Sequence, residues 1–175
     1  MRKGIRNDRP VIGPYGVNGT GSGDMYPKGA NLLHTIRQIV DDDAKWRDVL
    51  RGLNHDFRHQ TVTSRQVETH ISRQSGADLG TVFDQYLRTT RIPEFDWKVE
   101  GGTLSYRWAN VVPGFAMPVR VQVPGLGTRV LRATEAWQTL ALAAPQPVRV
   151  TVDESWYVTA RDVGGSPPAG AGGGR

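Results

Sequence analysis

Cysteine is absent from the 175 residues. That excludes disulfides, thiolate metal ligands and a cysteine nucleophile, and it leaves the compartment open because Cys-free proteins occur in reducing and oxidising locations alike. Lysine is scarce: Lys3, Lys28, Lys45 and Lys98 stand alone, and arginine supplies the rest of the 22 basic residues against 17 acidic ones. The formal charge of +5 is scattered among acids, with no run of three basic residues, so neither half carries the concentrated footprint of a nucleic-acid-binding protein. No apolar stretch approaches the roughly 18 residues of a bilayer-crossing helix, which excludes membrane insertion in that form. No basic stretch followed by an apolar core opens the chain as a signal peptide would.

What is present is glycine, 21 residues of it, with 11 prolines and a mean hydropathy of −0.45, the composition of a loop-rich chain. A chain this long buries roughly 70% of its unfolded surface, enough for a hydrophobic core without metal or disulfide staples. Residues 1–23 read as an irregular lead-in, rich in Gly and Pro. Its apolar members Val11, Ile12, Tyr15 and Val17 need a surface to pack on, which predicts poor packing in this chain and leads to the expectation that it is a piece of a longer protein, with Met1 an internal start or the start of a truncated gene.

Four helices follow, within a helical part over 24–92. Leu32, Leu33, Ile36, Ile39 and Val40 form the stripe of a first helix over 27–40, with Pro27 at its first position. Asp41 to Asp43 cap a second, whose buried face is Trp46, Val49, Leu50, Leu53 and Phe57. Thr63 and Gln66 form a capping box for a third that stops at Gly76, and Asp78 caps a fourth bearing Leu79, Val82, Phe83, Tyr86 and Leu87. After Pro93 the period becomes two. Strands are expected at 97–99, 104–108 (after a Gly101-Gly102 hairpin), 119–123, 129–133, 138–142, 148–152 and 156–159. The fold class is therefore α+β, four helices leading into a small antiparallel β-sandwich-like domain over 93–163. Residues 164–175 are too rich in Gly and Pro for a core and are expected to be disordered.

His55-Asp56-Phe57-Arg58-His59 places two histidines four apart, the spacing of a zinc-binding helix, with Asp78 downstream as a conceivable third ligand. The middle acid is Asp where a general base is usually Glu, and a helix break follows at Gln60, so a solvated helix end is the favoured reading. His34 and His70 have no second ligand nearby in sequence, and the Asp41–Asp43 run lacks the alternating oxygens of a calcium loop. Gly16 to Gly23 contains no phosphate-loop pattern. Tyr26 is more informative. It precedes Pro27, which disfavours the helical region for it and should project its ring from the helix entrance, either as an aromatic lid or as a hydroxyl donor.

Tyr26-Pro27-Lys28-Gly29-Ala30-Asn31-Leu32-Leu33-His34, then Asp43-Ala44-Lys45-Trp46, and Phe83-Asp84-Gln85-Tyr86-Leu87 with Arg91-Ile92-Pro93, resemble the C-terminal half of the M1 (gluzincin) aminopeptidases. The likeness covers about residues 7–100, and the later strands suit that family's trailing β-domain. It implies a parent zinc metallopeptidase that hydrolyses peptide bonds, with Tyr26 as the catalytic tyrosine whose hydroxyl stabilises the oxyanion, since a phenol remains a donor at neutral pH. The HExxH helix, the later Glu ligand and the general base of that family lie upstream of its tyrosine, where this chain has 25 residues, so the zinc ligands are expected to lie outside it. The implied partners are a peptide substrate and the missing N-terminal catalytic half, and the chain alone is expected to be inactive. The alternatives are a non-catalytic interaction module and, last, a self-contained peptidase built on His55, His59 and Asp78. A periplasmic or secreted parent is compatible with this resemblance, its signal peptide lying on the missing part.

Overall fold

The computed structural model describes residues 2, 4–14, 22–142 and 149–164. The expected disorder of the tail therefore lies outside the described residues, apart from Gly164, as do Tyr15 and Val17. Four helices come first: α1 (Met25–Val40), α2 (Asp43–Phe57), α3 (Ser64–Ser75) and α4 (Gly80–Arg88). Seven strands follow: β1 (Glu94–Glu100), β2 (Thr103–Ala109), β3 (Ala116–Val123), β4 (Gly127–Thr134), β5 (Gln138–Ala141), β6 (Thr151–Val152) and β7 (Thr159–Asp162). The class is α+β.

Local chemistry accounts for most helix ends. Asp42 accepts from the Ala44 and Lys45 amides at 2.9 and 3.0 Å and so caps α2. Thr63 and Gln66 form the reciprocal capping box of α3, which closes on Gly76 at φ +69°, where a side chain would be strained. Two expectations need correction. The N-cap of α4 is Leu79, not Asp78, whose carboxylate instead accepts the Gly80 amide at 3.3 Å; Leu79 is drawn to that position because its side chain is buried in the core. Pro27 is the third helical residue, not the first, and Tyr26 before it keeps helical geometry, since α1 starts at Met25. The bond from the Lys28 amide to the Asp24 carbonyl, 2.8 Å, outweighs the steric preference of the residue before proline.

The buried face of α1 is Leu32 and Ile36, and that of α2 is Trp46 and Val49. Leu33 and Leu50, expected inward, are exposed. Each lies at the edge of its stripe, where a 100° step per residue swings it past the contact.

The strands form two sheets, ordered β5-β2-β1-β7 and β4-β3-β6. Gly101 and Gly102 make the β1–β2 hairpin with φ +54° and +77°, the two positive values that a mirror-image two-residue turn needs. That turn fixes the register, with Phe95 opposite Trp108 and Trp97 opposite Tyr106. All pairings are antiparallel except β1 with β7. A strand was expected at 156–159, but Trp156 and Tyr157 are consecutive and both buried, which breaks period two; that segment crosses between the sheets and β7 begins only at Thr159. The expected 148–152 strand is reduced to β6, with residue 148 outside the described residues.

One cluster of buried residues runs through helices and sheets alike. Trp108 sits at its centre, meeting Phe95 and Phe115 edge-on and donating its Nε1–H to the Met117 carbonyl at 2.9 Å, a contact that joins the two sheets. Gln85, fully buried on α4, donates to the Arg91 and Asn110 carbonyls and accepts the Val112 amide, so the helical part is bolted to the strands by one satisfied amide.

Candidate functional site

The entrance of α1 is built on buried polar groups. Lys28 lies four residues before Leu32 and Asp24 four before Lys28, so both fall on the stripe that faces the core. Asp24 is 2% exposed and Lys28 fully buried. An aspartate at this position commonly caps its own helix, but the Asp24 side chain makes no cap bond. Its carboxylate turns back and accepts the Arg6 amide at 3.1 Å through both oxygens and the Asn7 amide at 2.6 Å. Asn7 holds φ +50°, which lets two successive amides converge on one anion, as in a backbone nest. Those bonds, led by the Arg6 amide, hold the carboxyl below the usual aspartate range despite burial.

Lys28 extends in the other direction. Its Nζ donates to the carbonyl of Thr89, the C-cap of α4, at 2.9 Å, a cation placed at the negative end of a helix. Burial pulls this ammonium below the usual lysine range, and the charge of Asp24 partly offsets that. Two residues away the Ile12 amide donates to the Leu87 carbonyl at 2.8 Å. The lead-in is thus tied to the body at Asp24 and at α4. Its residues Val11 and Ile12, expected to be poorly packed, are half-buried, because these backbone bonds lay the segment along the helix ends.

Tyr26 stands between these anchors and is 80% exposed. With Ala30 and Leu33 it forms an i, i+4, i+7 row on the outer face of α1, beside Met25; Met25 and Leu33 are each 40% exposed. Among the described residues two clefts lie elsewhere, one of about 740 Å³ beside Trp97, Thr151 and Asp162 and one of about 620 Å³ between the end of α1 and the β3–β4 pair. The tyrosine occupies open surface.

The histidine motif comes apart. α2 ends at Phe57, and His59 follows in the left-handed region at φ +58°, so His55 and His59 do not share a helix face. The Nδ1 of His55 lies 2.9 Å from Asp56 Oδ1, and the other oxygen of Asp56 faces Nδ1 of buried His70 at 3.3 Å. Asp56 is held below the usual carboxylate range, chiefly by the His55 contact. Among the described residues no group of three or more His, Asp or Glu is placed to hold a metal ion. The described residues therefore do not fit a zinc site. The acidic run is equally accounted for: Asp41 pairs with Arg120, Asp42 caps α2 and Asp43 pairs with Arg37. His34 is exposed on α1.

Sequence reasoning named Tyr26 but missed Asp24 and Lys28. A signal existed, since a lysine four residues before Leu32 on an apolar stripe must be either buried or snorkelling. It missed Asp96 as well, buried on β1 beneath Arg107 at 3.2 Å and Arg161 at 3.0 Å, because those partners come from strands far along the chain.

No family model matches this chain, and no curated protein matches it in sequence. In structure it is similar to Legionella pneumophila aminopeptidase A, solved in complex with aspartic acid, with a TM-score of 0.62 at 14% sequence identity. The likeness covers 80% of this chain and 18% of that one, so the chain spans under a fifth of its structural neighbour. At this identity the likeness shows the fold: this chain folds like part of an aminopeptidase. Among the described residues no helix is long and apolar enough to cross a membrane.

Proposed function

We propose that this chain is the C-terminal portion of a zinc metallopeptidase of the M1 aminopeptidase type and that Tyr26 is its oxyanion donor. The observation that carries the reading is the outer row of α1: an exposed tyrosine heads an apolar stripe of Met25, Ala30 and Leu33 that nothing in the described chain covers. The fold likeness to part of an aminopeptidase supports the same reading. The described residues offer no ligand set for zinc, so metal and general base belong to an N-terminal half seated on this row, with the peptide substrate between them. As a scissile carbonyl becomes tetrahedral its oxygen gains charge, and the Tyr26 hydroxyl donates a hydrogen bond that is stronger there than in the ground state. Alone, the chain is inactive.

The test is hydrolysis of an aminoacyl anilide by this chain assembled with the HExxH-bearing segment sought in frame upstream. Tyr26→Phe should lower kcat by on the order of 10²-fold or more, with KM and zinc content nearly unchanged. A lid keeps its ring in Phe, so wild-type turnover in that variant sinks the assignment. The same row favours one second reading, a docking surface without chemistry. In that case Leu33→Asp abolishes association with the other half while Tyr26→Phe changes nothing.

A further inference from the structure

We infer that Asp24 and Lys28 are positioning residues for Tyr26, a pair of buried charged clamps that fix the first turn of α1 so that the exposed hydroxyl is held in one place. The inference rests on the proposed role of Tyr26.

The geometry is unusual for a helix start. Among the described residues the Tyr26 hydroxyl, on a side chain 80% exposed, has no hydrogen-bond partner, yet the residue two before it and the residue two after it are both charged and both buried. Each is directed away from the helix it belongs to. Asp24 grips the backbone of the lead-in through Arg6 and Asn7, and Lys28 grips the C-terminal end of α4 through Thr89. Ser22, also fully buried, adds a third tie by accepting the Asp24 amide on Oγ at 3.1 Å while its carbonyl accepts the Met25 amide. The first turn of a helix usually frays, because its leading amides have no partners within the helix. Here the turn is held from both sides.

Burying two opposite charges to hold a surface turn is a poor route to stability. Desolvation of such groups is costly, and apolar residues of similar volume would commonly serve as well or better. A core argument therefore does not explain the pair. Its effect is on placement: with the backbone fixed at Asp24 and Lys28, the Cα of Tyr26 cannot drift, and only the side-chain torsions remain to be set by what docks against it. A displacement of about 1 Å at a reacting group can cost on the order of 10²-fold in rate. Groups that prevent such drift therefore act on turnover without touching substrate.

The experiment uses Asp24→Asn and Lys28→Met, each close to its parent in volume, with Tyr26→Phe run beside them. In this chain, amide exchange at Arg6, Asn7 and Lys28 should accelerate by about tenfold or more in Asp24→Asn, while exchange in α2 and α3 stays as in the parent. In the assembled enzyme each variant should lower kcat by about tenfold with KM and zinc content unchanged, and combining either with Tyr26→Phe should add little, because both act through the same hydroxyl. Lys28→Arg, which keeps a cation able to reach Thr89, should recover part of the loss. If Asp24→Asn does not fold, Lys28→Met carries the test alone. Accelerated exchange with wild-type kcat overturns the positioning role and leaves Tyr26 untouched, whereas an unaffected Tyr26→Phe removes the underlying reading and this inference with it. Losses that multiply fully with Tyr26→Phe also overturn it.

Discussion

The entrance of α1 and the end of α2 hold their polar groups in opposite ways. At the first, two charges are buried and the aromatic residue between them is exposed. At the second, the motif residues His55 and His59 lie at and beyond a helix terminus, with His55 mostly solvated, and the buried member, His70, comes from another helix. The end of α2 spells the more familiar chemical pattern in sequence, and the entrance of α1 shows the firmer frame in space. A site needs groups held by something else, and a spacing written along one helix does not supply that unless the helix continues through it.

The sharpest way to break this contrast is Asp24→Ala. It leaves the part-buried Arg6 and Asn7 amides without their acceptor, and since a fully buried unpaired amide costs about 1–3 kcal/mol and a partly exposed one less, the chain should lose about 2 kcal/mol in a urea titration. The pH dependence has a defined sign. The folded carboxyl is held below its unfolded value, so its contribution is complete above the unfolded pKa of about 4 and is lost as pH falls through the lower folded value. Asp24→Asn should therefore flatten the stability profile below about pH 4. An unchanged slope there would show that the lead-in is not held through this carboxylate.

A smaller effect belongs to the other region. A Cβ on Gly52 would lie 2.9 Å from Nε2 of His70, a ring that is 2% exposed and so has little room to move. Alanine ordinarily favours a helix over glycine by about 1 kcal/mol, but overpacking costs about 1–3, and the net for Gly52→Ala should be a loss of about 1 kcal/mol. In a His70→Ala background the clash is gone and the same change should stabilise. Thermal melts of the four combinations measure the reversal, and the absence of a sign change would mean that α2 and α3 do not pack through this contact.

The capping box of α3 gives an effect of similar size. Thr63→Ala removes an acceptor for the Gln66 amide and should cost about 1 kcal/mol by chemical denaturation, whereas Thr63→Ser should be nearly silent.

These elements also show which parts of the fold were legible. Thr63, Gln66, Gly76 and the Gly101-Gly102 pair act through neighbours within a few residues, and their roles could be read directly. Leu33 and Leu50 could not be assigned, because a residue at the edge of a helical stripe is buried or exposed according to how far the next helix leans over it. The parallel addition of β7 was hidden for a related reason: Arg161 reaches Asp96 across 65 residues, and no local pattern announces that pairing. At the candidate site Tyr26 was visible through its motif, while its anchors were not, since Asp24 is partnered by Arg6 and Asn7, whose role depends on one backbone angle at Asn7.

The smallest effect is the one expected of the histidines. If the end of α2 is a solvated terminus, adding millimolar zinc to the chain should leave its melting temperature where it was. A ligand that binds only the folded form raises stability as the logarithm of one plus its free concentration over Kd, so even a micromolar site would register at millimolar metal, by about 4 kcal/mol. His55→Ala should likewise leave the melt unchanged, because its ring is 86% exposed and its partner Asp56 keeps the contact to His70. The informative result is the combination. A zinc-dependent rise in the wild-type chain that disappears in both His55→Ala and His59→Ala would require the last turn of α2 to extend past Phe57 and bring the two rings together, and it would transfer the chemistry from the entrance of α1 to the end of α2. A rise lost only in His70→Ala would instead locate metal at the Asp56 carboxylate, between α2 and α3, and would leave the reading of Tyr26 as it stands.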